Sequence, residues 1–279
     1  MTTLSQNAAP NAKPARSPMS RTFKAITTNW MLAREMAKRE LMVSNKGALL
    51  GIAWLLIRPF IQVAALVVVV TFVFGVRFDH AGGRFGYAVY VLAGMVPWQI
   101  LSKALEEAPS LVRDRVEVLK QVVYPLEILP VTSLLSAMIG PSIAFVVYLL
   151  LAAINGSLHW TILLLPIPLA LMILFVLGSA WALMMVGVLL KDLREIISVM
   201  LGLLVYMSPV VMSEQMAGPA IWSLLQFNPF FHVIAAFRDV FDATFHPVSW
   251  IIFLSMTVAA LALGILVLDR ARALLNELI

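Results

Sequence analysis

Apolar residues run along this chain in stretches of twenty or so, separated by short polar pieces. Residues 51–75 form one such run, broken only by Arg58 and Pro59. Residues 87–107 form a second, after a loop containing Asp79, Gly82, Gly83 and Arg84. From Ile128 to Leu190 there is no Asp, Glu, Lys or Arg. About 20 apolar residues suffice for one helix to cross a bilayer, so this third run predicts a hairpin of two spans, 128–154 and 161–190. It turns at the NGSLHW sequence, Asn155 to Trp160. A fifth span is predicted at 196–212, after the charged KDLRE piece, and a sixth at 249–268. Between these last two, Gly218-Pro219 and Asn228-Pro229 cut an apolar stretch into pieces too short to span, which predicts two short re-entrant or interfacial helices.

Two polar segments carry helical patterns of their own. At 100° per residue, Trp30, Leu32, Ala33, Met36, Ala37, Leu41 and Val43 fall on one half of a helix over 30–46. Arg34, Glu35, Lys38, Arg39 and Lys46 fall on the other half. Glu40 on the apolar half, and Met31 and Met42 on the charged half, break the pattern. This predicts an amphipathic helix lying along the membrane surface, and a simple anchor on anionic lipid is an equally open use for it. Residues 113–121 combine good helix formers with mixed charge, and Pro125 and Pro130 restrict how the chain re-enters the membrane. Such a segment is either a stiff lever at the end of two spans or a solvated loop. Residues 1–28 are expected to be a disordered tail, polar at their start and without the apolar core of a signal peptide. The rest of the chain, 29–279, is expected to form one membrane domain.

Composition agrees with the pattern. Hydrophobic residues make up 61% of the 279, charged residues 13%, and mean hydropathy is +0.94. Soluble domains have about 45–50% apolar and 25% charged residues, so the fold class expected is an all-α integral membrane protein with six spans. With no cysteine, disulfides, thiolate metal sites and cysteine nucleophiles are excluded. His80, His159, His232 and His246 have no metal-ligand spacing. The net charge of +5 is distributed as a topology signal and not as a nucleic-acid patch. With both termini inside, sixteen Lys and Arg face the cytosol, while only Arg77, Arg84 and Arg238 face out. This is the positive-inside bias.

The stretches RELMVSNKGALLGIAWLLIRPF, LAGMVPWQIL, VLKQVVYPLEILP, KDLREI with SPVV downstream, and FNPFFHVIAAFRDVF resemble, in order and spacing, the permease subunits of ABC-2 type polysaccharide exporters. The resemblance runs from about residue 30 to the C-terminus and is nearer to the O-antigen and teichoic-acid exporters than to the capsule branch. It implies a transporter of two permeases and two ATP-binding subunits in a bacterial inner membrane, with both permease termini cytoplasmic. ATP and Mg would be bound by the partner ATPase, in keeping with the absence of a GxxxxGK[ST] phosphate loop in this chain. It further implies that the loop between spans two and three seats on the ATPase through Arg113, Asp114, Arg115, Glu117 and Lys120, with Arg34, Lys38 and Arg39 nearby. The chain would then be a transport subunit, with no catalytic or metal-binding residues of its own.

The resemblance also implies a lipid-linked glycan passing between two copies of the chain. Aromatic candidates for that path are Trp54, Phe72, Phe74, Tyr90, Trp98, Tyr206, Trp222, Phe227, Phe230 and Phe231, since sugar C–H faces stack on rings. Interfacial belts and helix packing are the plainer uses of the same rings. Arg58, about two turns into the first span, either meets phosphate on the lipid carrier or snorkels to the headgroups. Three other readings stay open: capsule export, an ABC-2 permease for a lipid or drug, and a membrane-embedded glycosyl- or phosphotransferase. The spans carry no carboxylate of the kind a proton- or sodium-coupled transporter uses.

Overall fold

The computed structural model describes residues 18–44, 53–54, 57, 60–61, 64–65, 68, 86–115 and 125–278. Most of the expected first span lies outside these residues, as do Arg58, Phe72, Phe74, Glu117 and Lys120. The described elements are all helical. They are α1 (Pro18–Thr28), α2 (Trp30–Ser44), α3 (Gly86–Glu107), α4 (Ile128–Ile154), α5 (Pro166–Leu189), α6 (Leu193–Leu204), α7 (Glu214–Leu225), α8 (Pro229–Phe241) and α9 (Pro247–Leu278). Single 3-10 turns at Ala108–Ser110, Arg113–Arg115 and Trp160–Leu164 extend or join them. Among the described residues four segments are long and apolar enough to cross a membrane: Gly86–Ser110, Ile128–Ile154, Trp160–Leu189 and Pro247–Ala271.

The least apolar of the four is the central one. Seventy-two per cent of the most apolar stretch within Gly86–Ser110 is buried inside the protein, against 22–33% of the corresponding stretches in the other three. Those three turn rows such as Val146, Leu150 and Ile154 on α4, or Ile251, Leu254 and Val258 on α9, outward. Water would penalise such faces, whereas acyl chains do not. The most extensive helix contact is between α5 and α9, and it rests on two glycines. A Cβ on Gly264 would lie 2.2 Å from the Gly178 carbonyl oxygen, so the backbones approach as only small residues allow in a membrane.

The breaks fall where the turn residues stand. The α4–α5 hairpin turns at Asn155 and Gly156, with Gly156 at φ +70°. Within α7, Gly218 leaves helical geometry at φ +73° before Pro219. At the next break the Asn228 side chain accepts from the Phe230 N–H at 3.0 Å, and its amide donates to the carbonyls of Leu204 (3.3 Å) and Met207 (2.9 Å). One residue thus caps α8 and fastens it to the end of α6.

Three expectations change. The tail expected to be disordered through residue 28 is helical from Pro18, because Thr22 is buried and α1 packs against α9 and α4. An 11-residue helix gains little alone, so the packing against α9 and α4 is what holds it. Of the fifth span, expected at 196–212, the helical part is the 12-residue α6, followed by turns through Val211. It reaches about 18 Å, short of a hydrocarbon core of about 30 Å. Finally, α2 turns its smallest apolar residues inward. Ala33 and Ala37 are buried where α2 packs against α4, while Trp30, Met31 and Leu32 are exposed.

Candidate functional site

Charge collects where α3 ends. The chain leaves α3 through the Ala108–Ser110 turn and reaches the Arg113–Arg115 turn, and here three segments distant in sequence meet. Arg115 Nη2 donates to Glu40 Oε2 of α2 at 2.9 Å. Asp114 accepts from the Ser110 hydroxyl at 2.7 Å and has Arg194 at 3.9 Å. Arg113 donates to the Lys191 carbonyl at 3.0 Å. Glu107 accepts from Ser133 at 2.6 Å, and Ser198 in the middle of α6 donates to Glu106 at 3.1 Å. Among them a cleft of about 550 Å³ opens, lined by Arg39, Arg115, Arg194, Glu40, Glu107 and Asp114.

Glu40 is the residue that broke the amphipathic pattern of α2, and its place explains the break. Facing inward, it also takes a 3.3 Å hydrogen bond from Ser136 of α4. The ion pair is largely withdrawn from solvent, with side-chain exposures of 16% for Arg115 and 32% for Glu40. It fixes α2 to the loop after α3. Of the residues assigned by resemblance to the ATPase contact, Arg113, Asp114 and Arg115 stand in this cluster. Arg34, Lys38 and Arg39 lie exposed on α2 beside it. Sequence reasoning missed Glu40, Glu107 and Arg194; for Glu40 the available signal was an acid on an apolar helix half.

A second polar cluster sits at the other end of α3, built on α8. Arg238 and Asp239 are 7% and 3% exposed inside an otherwise apolar helix. The Arg238 guanidinium lies 3.4 Å from the centre of the Tyr90 ring and donates to the backbone carbonyls of Pro209, Tyr90 and Val210. Asp239 accepts from the His246 N–H (2.8 Å), the His246 ring Nδ1 (2.5 Å), the Trp250 indole N–H (2.8 Å) and the Thr244 hydroxyl (2.9 Å). With four donors the buried Asp239 carboxylate is satisfied, and the result is a rigid corner between α8 and α9. Nearby, His232 Nε2 faces the Gln226 carbonyl and Nδ1 faces the Ser249 hydroxyl. Burial pushes this imidazole below its usual range, so it is held neutral.

The aromatic candidates divide. Tyr90 and Trp222 line a cleft beside Arg238. Trp98 is buried edge-on to Phe230, whose ring also meets Phe175, and Phe231 packs against Trp222. Tyr206 and Phe227 are exposed, at 63% and 85%, and Trp54 is half-buried. Tyr148, which also lines the cleft, was not among the candidates, because nothing local distinguishes it from other residues of an apolar span.

Residues 33–241 match the ABC-2 type transporter family, from within α2 to the last residue of α8. The chain is similar to the O-antigen export system permease protein RfbA of Myxococcus xanthus, with 22% identity over 209 residues, which is 74% of this chain and 78% of that one. It is also 20% identical over 211 residues to the protein of the same name from Klebsiella pneumoniae, with the same two coverages. With a match over most of its length and several apolar helices of spanning length, the chain is a membrane subunit of the ABC-2 type transporter family, a transport subunit that associates with an ABC ATPase and not an enzyme.

Proposed function

We propose that this chain is the permease of an ATP-driven exporter that carries a lipid-linked polysaccharide, of the O-antigen type, across the bacterial inner membrane. Two copies assemble with two ATP-binding subunits, which hold ATP and Mg. Each copy crosses the membrane six times, with both termini cytosolic and with α7 and α8 as short helices dipping in from the outside. The expected first span and the α6 region supply the two crossings beyond the four helices of spanning length. The relatives' names supply the substrate class. The strong excess of Lys and Arg on one side of the predicted spans supports the orientation.

The observation that carries the mechanism is the Arg115–Glu40 pair together with the Arg113 contact to Lys191. Force applied to the loop after α3 reaches α2, α4 and the α5–α6 turn through short, partly buried polar contacts and without a flexible linker. An ATPase seated against the exposed faces of Arg34, Lys38 and Arg39 would push on that loop and on α2 together.

The test uses a chain that has no natural cysteine. A single Arg113→Cys variant is expected to react with a membrane-impermeant maleimide only in inverted vesicles. Reaction only in intact, outer-membrane-permeabilised cells would overturn the orientation and the coupling with it. For the substrate, deletion of the gene is expected to leave lipid-linked glycan on the cytosolic leaflet. ATP hydrolysis by the purified complex should rise with lipid-linked glycan. A rise with a small amphiphile and none with glycolipid would replace this reading with lipid or drug export.

A further inference from the structure

At the end of α3 remote from the charged cleft, the fold encloses a second cleft of about 420 Å³ within this one subunit. Tyr90 at its wall and Glu107 at the charged cleft are separated by some five turns, about 26 Å along the helix, so the two cavities open at opposite ends of the same candidate span. The volume lies in the range of small-molecule sites. Its rings are fixed. Tyr90 donates its hydroxyl to the Met212 carbonyl at 2.8 Å and carries the Arg238 guanidinium on its face. Tyr148 packs against Phe241 at 4.8 Å between ring centres, and Trp222 packs against Phe231 at 5.0 Å.

Two side chains there carry a polar group without a hydrogen bond among the described residues. Tyr148 is 2% exposed and lines the cleft, and its hydroxyl bonds to no described residue. Arg238 Nη1 is buried without a hydrogen bond, and its nearest carboxylate oxygen, Asp242 Oδ2, is at 3.7 Å, beyond bonding distance. The Tyr148 side chain is buried while its hydroxyl, without a partner, is open to the cleft, so it marks a place for a ligand's polar atom. The neighbouring Asp239 is not available to a ligand, because its oxygens already take four donors. Glu214 and Asp242 also line the cleft, and both residues are exposed.

That combination selects a chemistry. Two carboxylates against one guanidinium that is already engaged by a ring and three carbonyls repel phosphate, so the charged end of a lipid carrier is unsuited to it. Hydroxyls suit it, donating to Glu214 and Asp242 and accepting from Tyr148, while sugar C–H faces lie on Tyr90 and Trp222. We propose that this cleft is a saccharide subsite, contained in a single subunit, that holds a sugar unit of the exported chain and rejects its phosphate-bearing end. The identity of the ligand rests on the export reading above.

The complete transporter with its ATPase, in nanodiscs, carries Gln215→Cys at the cleft as its sole cysteine in this chain, and the rate of maleimide labelling is followed. Oligosaccharides released by mild acid from the host's own surface glycan are expected to slow labelling saturably, and inorganic pyrophosphate is expected to have no effect. Tyr148→Phe removes one hydroxyl and should raise the half-protecting concentration about fivefold, the worth of one hydrogen bond. Glu214→Gln, at an exposed position that does not threaten folding, should also raise it. Co-elution with the ATPase shows that each variant has folded. Absent protection in a Gln215→Cys transporter that still exports glycan overturns the subsite alone. Equal protection by pyrophosphate, or protection unchanged in both variants, does the same. A deletion strain that exports glycan normally overturns the export reading and this one together.

Discussion

If Glu40 and Arg115 transmit force between α2 and the loop after α3, their interaction must be measurable as a coupling and not merely visible as a contact. At the observed 2.9 Å separation, two unit charges attract by about 1.4 kcal/mol in a water-like dielectric and by about 6 kcal/mol at an effective dielectric of about 20. Desolvation offsets much of this. Fully exposed pairs retain about 0.2–1 kcal/mol, while breaking a buried pair costs about 3–5. For side chains 16% and 32% exposed, a net coupling of about 1–2 kcal/mol follows. The asymmetry can be checked too. Glu40→Gln removes the countercharge from a guanidinium whose Nη1 is already buried without a hydrogen bond, whereas Arg115→Gln leaves the more exposed Glu40 its bond from Ser136. Glu40→Gln should therefore be the more damaging single change. The assay is a double-mutant cycle on the purified transporter, reading the denaturant midpoint and glycolipid-stimulated ATP hydrolysis in parallel. Additivity within about 0.3 kcal/mol in the first reading, with unchanged stimulation in the second, would refute the coupling.

Further predictions concern the packing that holds the two clefts in place. Gly187→Ala would set a Cβ 2.1 Å from the Pro109 carbonyl oxygen, and Gly264→Ala would set one 2.2 Å from that of Gly178, whereas Gly202 has open space around it. The first two substitutions should cost about 1–3 kcal/mol or abolish folded yield, while Gly202→Ala should stabilise by up to about 1 kcal/mol; thermal unfolding in detergent reports all three. Asp239→Ala deprives four donors of their acceptor and is expected to cost about 3 kcal/mol or more, with Asp242→Ala far milder because that side chain is 48% exposed. Asn228→Ala removes the cap of α8 and two donated bonds to the end of α6. It should cost about 1–2 kcal/mol, and hydrogen exchange should rise first at residues 204–210.

Much of this organisation can be read from local sequence, because it depends on what one segment needs by itself. A bilayer demands a fixed length of apolar helix, so the runs at 87–107, 128–154, 161–190 and 249–268 announce four of the helices. Glycine, proline and asparagine announce the breaks at Asn155-Gly156, Gly218-Pro219 and Asn228-Pro229, because each residue type restricts or frees the backbone on the spot. At 196–212 the pattern is less plain, since the apolar residues that follow the short α6 continue it although the chain there forms turns.

The polar chemistry was decided by tertiary structure. Glu40 looked like a flaw in an amphipathic helix until Arg115, 75 residues later, was placed against it, and Arg238 counted only as an outward charge until it closed on Tyr90, 148 residues away. Periodicity along one helix assigns a face to a side chain but cannot name what stands opposite, so partners at such separations leave no local trace. The same limit explains why Trp98 and Phe230 pack together in the core while Tyr148, one ring among many apolar residues, lines the cleft. Membrane insertion is a property of each segment and was written along the chain, whereas the satisfaction of buried charge and hydroxyl is a property of segments brought together.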